Sequence, residues 1–211
     1  QFFTADQVDE EGEQVIGSMM RTYFDSNYEI RSVLSTLFNC DYFKSDKARF
    51  ARVKGPVELV VGAVRLAGSY QAPTQGIEQV ARQAMYMGQG LLQPPSVEGW
   101  HEGIEWVDSG ALVERVNFVA HELANVENPG VRKIIDRLAG EGVLSPEDLV
   151  DRCLDLLGPM EVSEETRESL VEYVAHQGDL SLHGHQPGDA AEKRVGGLLS
   201  LACATKEFQL A

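Results

Sequence analysis

Basic residues are scarce in this chain. Its 211 residues include 18 Lys and Arg against 33 Asp and Glu, a formal net charge of -15, with an isoelectric point near 4.7. Nucleic-acid backbones and anionic membrane surfaces both need a basic face, so neither is an expected partner. Long apolar runs are missing too. Nothing approaches the ~20 residues of a spanning helix, and no transmembrane segment is expected. Cysteine is sparse, with only Cys40, Cys153 and Cys203, far apart and odd in number. At most one intramolecular disulfide can form. Each cysteine sits among apolar neighbours, as in Leu37-Phe38-Asn39-Cys40 and Leu198-Leu199-Ser200-Leu201-Ala202-Cys203, and reads as a buried structural thiol.

Several familiar chemical signatures are also lacking. No P-loop, Gly-x-Ser-x-Gly elbow or EF-hand calcium loop occurs, and Gly88-Gln89-Gly90 is too short for a dinucleotide fingerprint. His121-Glu122 opens like a zinc-protease helix, but the position four residues after His121 is Asn125 and the paired ligand is absent. His183-Gly184-His185 has the spacing to place two imidazoles on one cation, with Asp179 or Asp189 as a third ligand. Histidines in a glycine-rich loop are usually solvated, so no metal and no cofactor is expected. The start shows no signal peptide, and opening on Gln1 rather than Met suggests a trimmed piece of a longer protein.

What is present is an ordinary globular composition, 43% hydrophobic and 24% charged. A chain of this size buries roughly 70% of its unfolded surface, enough for a core without disulfides or metal. Helix signals recur along it. Thr4-Ala5-Asp6-Gln7 has the capping-box form, and Val8, Val15, Ile16, Met19, Met20 and Tyr23 follow at helical spacing. Ser26-Asn27-Tyr28-Glu29 repeats the capping logic before the stripe of Ile30, Val33, Leu34, Leu37 and Phe38. Pro56 suits a first helical position and Gly68 a stop. Thr74 precedes a further expected helix, which runs to about Met87 and is terminated by Gly88. Asp108 or Ser109, Asn128-Pro129-Gly130, Ser145-Pro146 and Ser163 each precede another apolar periodic run, and a last helix carries Val195, Leu198, Leu199, Leu201 and Ala202. The expected fold is all-α, an irregular bundle of about eight helices forming a single domain over 1–211, with a weak subdivision near 125–130.

The most individual segment runs Met87-Gly88-Gln89-Gly90-Leu91-Leu92-Gln93-Pro94-Pro95-Ser96-Val97-Glu98-Gly99-Trp100, with Trp106 beyond. Prolines stiffen this backbone, glycines allow left-handed turns, and indoles offer large apolar faces with one donor each. Two readings stand for it. Either an ordered loop presents Gln89, Trp100 and Trp106 to a ligand, or its tryptophans plug gaps between helices.

The segment combines with Lys54-Gly55-Pro56-Val57-Glu58 upstream and Arg115-Val116-Asn117-Phe118 downstream. Together they resemble the C-terminal part of the bacterial family known as domain of unknown function 1800, which couples a Lys-x-Pro-x-Glu helix, a Met-Gly-Gln…Pro-Pro-x-Val-x-Gly-Trp loop and an Arg-x-Asn-Phe helix. The ending Thr205-Lys206-Glu207-Phe208-Gln209 is similar to the family's terminal Pro-Glu-Phe-Gln, with Lys206 in place of proline. After the Gly-Trp pair the family often has Pro or Gly, whereas His101 and Glu102 stand here. The resemblance implies export to the periplasm, the envelope or the extracellular space, and implies no activity.

On these residues the expected role is non-catalytic binding of a protein or surface-polymer partner, through Gln89, Trp100, His101, Trp106, Glu58 and Arg115. A Glu58–Arg115 or Glu58–Arg65 pair is expected to hold the loop. The alternative is a hydrolase-like enzyme using Glu58, Gln89 and His101 around residues 88–106, with Glu58 as general base.

Overall fold

The structure, a computed structural model, describes Thr4 and residues 8–176, 178–181 and 188–211. The Thr4–Gln7 capping box and the His183/His185 pair therefore lie wholly or partly outside the described residues. Among the described residues there are nine α-helices, in line with the all-α expectation: α1 Glu10–Asp25, α2 Ile30–Asn39, α3 Pro56–Ala67, α4 Glu78–Tyr86, α5 Ser109–Ala124, α6 Pro129–Ala139, α7 Pro146–Leu157, α8 Glu164–Ala175 and α9 Asp189–Ala204. Two short strands, β1 Val143–Leu144 and β2 Leu180–Ser181, pair antiparallel with Leu144 opposite Leu180. The chain divides into two compact units, residues 1–54, 101–105 and 210–211 in one and 55–100 and 106–209 in the other.

In unit 1, α1 packs against α2. Asp9 caps α1 by accepting from the Gly12 N–H at 2.9 Å, and Lys47 bridges Asp9 and Glu11 at 3.1 and 2.6 Å. The Gly12 contact and the Lys47 ammonium both hold the Asp9 carboxyl below its usual range. The capping expected at Ser26–Glu29 takes another form. Asn27 and Tyr28 adopt φ of 56° and 70°, which breaks the chain between helices and leaves Glu29 as the N-cap of α2. The Ser26 hydroxyl accepts from the Glu29 N–H at 3.2 Å. Arg52 and Ala211 exchange backbone hydrogen bonds of 3.3 and 2.7 Å.

Unit 2 holds the main core. Leu59, Val60, Ala63 and Ala67 of α3 join Val119 and Leu123 of α5, the inner faces of α6 to α8, and Val195, Leu198 and Leu199 of α9. Local chemistry explains most boundaries. Pro56 and Pro129 occupy first helical turns, and Asp108, Ser145 and Ser163 accept from the N–H groups of Ala111, Asp148 and Thr166. Gly68, at φ 71°, stops α3. Helix α4 begins at Glu78 rather than directly after Thr74, because Gly76 at φ 94° turns the chain just before it.

The ends of α3 and α6 meet closely enough to exclude side chains. A Cβ on Gly130 would lie 1.9 Å from the Leu66 carbonyl oxygen, and one on Gly68 would lie 2.9 Å from the Gly130 nitrogen. The carbonyl end of α3 thus abuts the amide end of α6, an arrangement that opposes partial charges favourably. None of the three cysteines forms a disulfide. Cys153 and Cys203 are buried as expected, and burial pushes the Cys153 thiol up to about 12. Cys40 is only half-buried, because it falls in the turn after α2, where its sulfur accepts from the Phe43 N–H.

Candidate functional site

The loop that leaves α4 is irregular but tied down. Its first anchor is electrostatic. Helix α3 starts at Gly55, which has no side chain to cap it, and Pro56 has no N–H to be capped. The next orphan donor, the Val57 N–H, is taken by the Gln89 side-chain oxygen at 2.9 Å, from 32 residues away. Glu58 reaches back to the Gly55 N–H at 3.3 Å. The two halves of a capping box are thus contributed by different segments of chain. The second anchor is apolar. Trp106 is 7% exposed and lies beside Gly55 and Gly88, where an added Cβ would sit 4.0 and 3.8 Å from the indole. Met87, immediately before the loop, is buried.

Beneath this foot is a buried cation. Arg115 of α5 is wholly enclosed, and its Nε donates to the Gln209 Oε1 at 2.9 Å. Burial drives the guanidinium pKa down and the nearby Glu58 carboxylate opposes that shift. The terminal turn Glu207–Gln209 is built in the same way. Glu207 accepts from the Ser163 N–H at 3.2 Å and the Thr166 hydroxyl at 3.0 Å, at the start of α8. Burial alone would raise its pKa, but these hydrogen bonds prevail and hold it below the usual range.

The named side chains therefore separate into groups. Gln89, Glu58, Trp106 and Arg115 fall together in unit 2, where each is engaged in holding α3, α5 and the loop. Trp100 is half-buried, and its indole N–H is enclosed without an acceptor among the described residues. His101 belongs to unit 1 and is exposed, its Nδ1 lying 2.7 Å from Glu105. Among the described residues no group of three or more His, Cys, Asp or Glu is placed to hold a metal ion.

Sequence reasoning missed two sets of residues. One is the buried polar pair Glu207 and Gln209, whose signal is the Glu-Phe-Gln ending itself. The other is the crest of the loop. Leu92 is 93% exposed at φ 60°, Val97 is fully exposed and Leu91 half so, around Pro94 and Pro95 and a turn closed by the Ser96–Gly99 bridge.

Matched against known families, residues 1–210 fit the model described as "Protein of unknown function (DUF1800)". The chain belongs to the DUF1800 family. The match reaches well upstream of Lys54, so both units of this DUF1800 chain lie within it. No curated protein and no solved structure matches the chain. Among the described residues no helix is long and apolar enough to cross a membrane.

Proposed function

We propose that this DUF1800 protein is a non-catalytic binding protein that docks a protein partner through the crest of the 88–99 loop, and that it works in the cell envelope or outside the cell. One observation carries the reading: Leu92 and Val97 stand fully in water on a loop whose foot is locked. A leucine in the left-handed region costs about 1–2 kcal/mol, and a fully exposed apolar side chain returns nothing for it in the isolated protein. Such a side chain gains only when another surface covers it, and a preorganised loop loses little freedom on being covered. Gln89, Glu58, Trp106 and Arg115 serve this role as scaffold rather than as contacts. The location rests on the family resemblance, and the acidic surface accords with it.

Photo-crosslinking in the native host tests the reading. A crosslinking residue placed at position 92 or 97 is expected to yield one discrete adduct in the envelope fraction or the medium. The position-92 adduct should disappear when Val97→Asp is added. The same probe at the exposed Glu147 serves as control. Identical adducts from 92 and 147, or none from either crest position, would remove the docking role.

A further inference from the structure

Between α4 and α5, and lined by Tyr70 as well, unit 2 contains a second feature that the loop does not use. It is a groove of about 280 Å³. Helical spacing explains its lining. Glu114, Asn117, Phe118 and His121 fall at i, i+3, i+4 and i+7 on one face of α5, and Gln79 and Gln83 at i and i+4 on α4. The floor is fixed, because Glu122 accepts from the Ser69 hydroxyl and its carbonyl accepts from Asn128 at 2.8 Å. The polar lining is not spent in this way. The side chains of Gln79, Gln83, Glu114, Asn117 and His121 make no hydrogen bond or ion pair among the described residues, although all border one cavity.

We infer that this groove binds a neutral saccharide ring. Elimination and complementarity lead to the same ligand class. No Lys or Arg lines the groove and two carboxylates do, so an anion is repelled. The described residues offer no metal-holding cluster, so a bare cation lacks a cage. A purely apolar ligand would strip water from three carboxamides and give nothing back. A sugar hydroxyl both donates and accepts, which suits carboxamides that carry two donors and an acceptor oxygen each. The half-buried rings of Tyr70 and Phe118 offer apolar faces for the C–H face of a pyranose. The volume fits one ring, at the lower bound of small-molecule sites. The inference is independent of the crest, which lies on other residues.

The test is a chemical-shift titration of the whole ¹⁵N-labelled chain with the methyl glycosides of glucose, galactose, mannose and N-acetylglucosamine, and with glucuronate. At least one neutral glycoside is expected to give saturable shifts in α4 and α5. Gln83→Ala with Asn117→Ala should weaken that binding about tenfold or more, while the thermal midpoint stays put and Leu92→Asp has no effect. Should the double variant not fold, the exposed Gln79→Ala takes its place. Glucuronate should bind more weakly than the neutral rings. Absence of groove shifts with all four glycosides, unaltered affinity in the variants, or tighter binding of glucuronate would each overturn the assignment.

Discussion

Within unit 2 the foot of the loop and its crest reverse the usual placement of polar and apolar atoms. At the foot, the Gln89 carboxamide is spent on a helix end and Arg115 is wholly enclosed, with Gln209 and Glu207 nearly so in the terminal turn. At the crest, Leu91, Leu92 and Val97 meet water. The difference separates two kinds of constraint. Each enclosed polar side chain meets at least one specific partner, Arg115 with Gln209 and Glu207 with Ser163 and Thr166, although Glu207 Oε2 and Gln209 Nε2 meet none among the described residues. Apolar groups outside have no such compensation, and that contrast assigns shape to the foot and contact to the crest.

Trp106 is the residue whose loss should break the comparison most sharply. Removing its indole leaves a cavity between Gly55 and Gly88, and Trp106→Ala is expected to cost about 4 kcal/mol in urea unfolding. A loss below about 1 kcal/mol would mean that the foot is not packed as described. Next comes Glu207, where Glu207→Ala should cost about 2 kcal/mol by stranding the Ser163 N–H and removing one of the two partners of the Thr166 hydroxyl. The pH dependence has a definite sign. Because the folded carboxyl titrates below its ordinary value of 4.5, its contribution is complete above that value and is lost as pH falls toward the depressed folded pKa. Acid unfolding of the Glu207→Gln variant should therefore be flatter below pH 4.5 than that of the parent. Equal slopes would show that folding does not lower the Glu207 pKa.

Gln89→Ala should have a smaller effect, about 1 kcal/mol, typical of a lost N-cap acceptor. Hydrogen exchange is expected to localise the change to the first turn of α3, with the Val57 amide exchanging faster. Uniform acceleration across unit 2 would instead make Gln89 a core residue.

The residues that carry this comparison were unequally legible. Helix starts at Asp108, Ser145 and Ser163 could be read directly, because a cap is a bond between residues three apart in sequence, and those at Pro56 and Pro129 because the fixed φ of proline suits a first helical turn. The start of α4 was not, since Gly76 outweighed the apolar pattern there. The loop stood out as a segment, and its ordered character follows from its prolines. Which of its side chains turn inward did not follow, because Gln89 finds its partner across 32 residues and Trp106 fits against glycines far upstream. Hydropathy alone would also have buried Leu92 and Val97. The available cue was that they flank Pro94-Pro95 without helical spacing.

The crest offers the smallest effect on stability and the finest test of its assignment. Leu92→Asn replaces a leucine at φ 60° with a residue that visits the left-handed region readily, and it removes no packed contact. The free energy of urea unfolding should hold or rise by a few tenths of a kcal/mol at most, while crosslinking from position 97 is lost. A gain in stability joined to a loss of contact is the pattern of a residue kept for a partner rather than for the fold. If Leu92→Asn instead destabilised the chain as much as Gln89→Ala, the side chain would be holding the loop together, and the line between foot and crest would have to be drawn elsewhere.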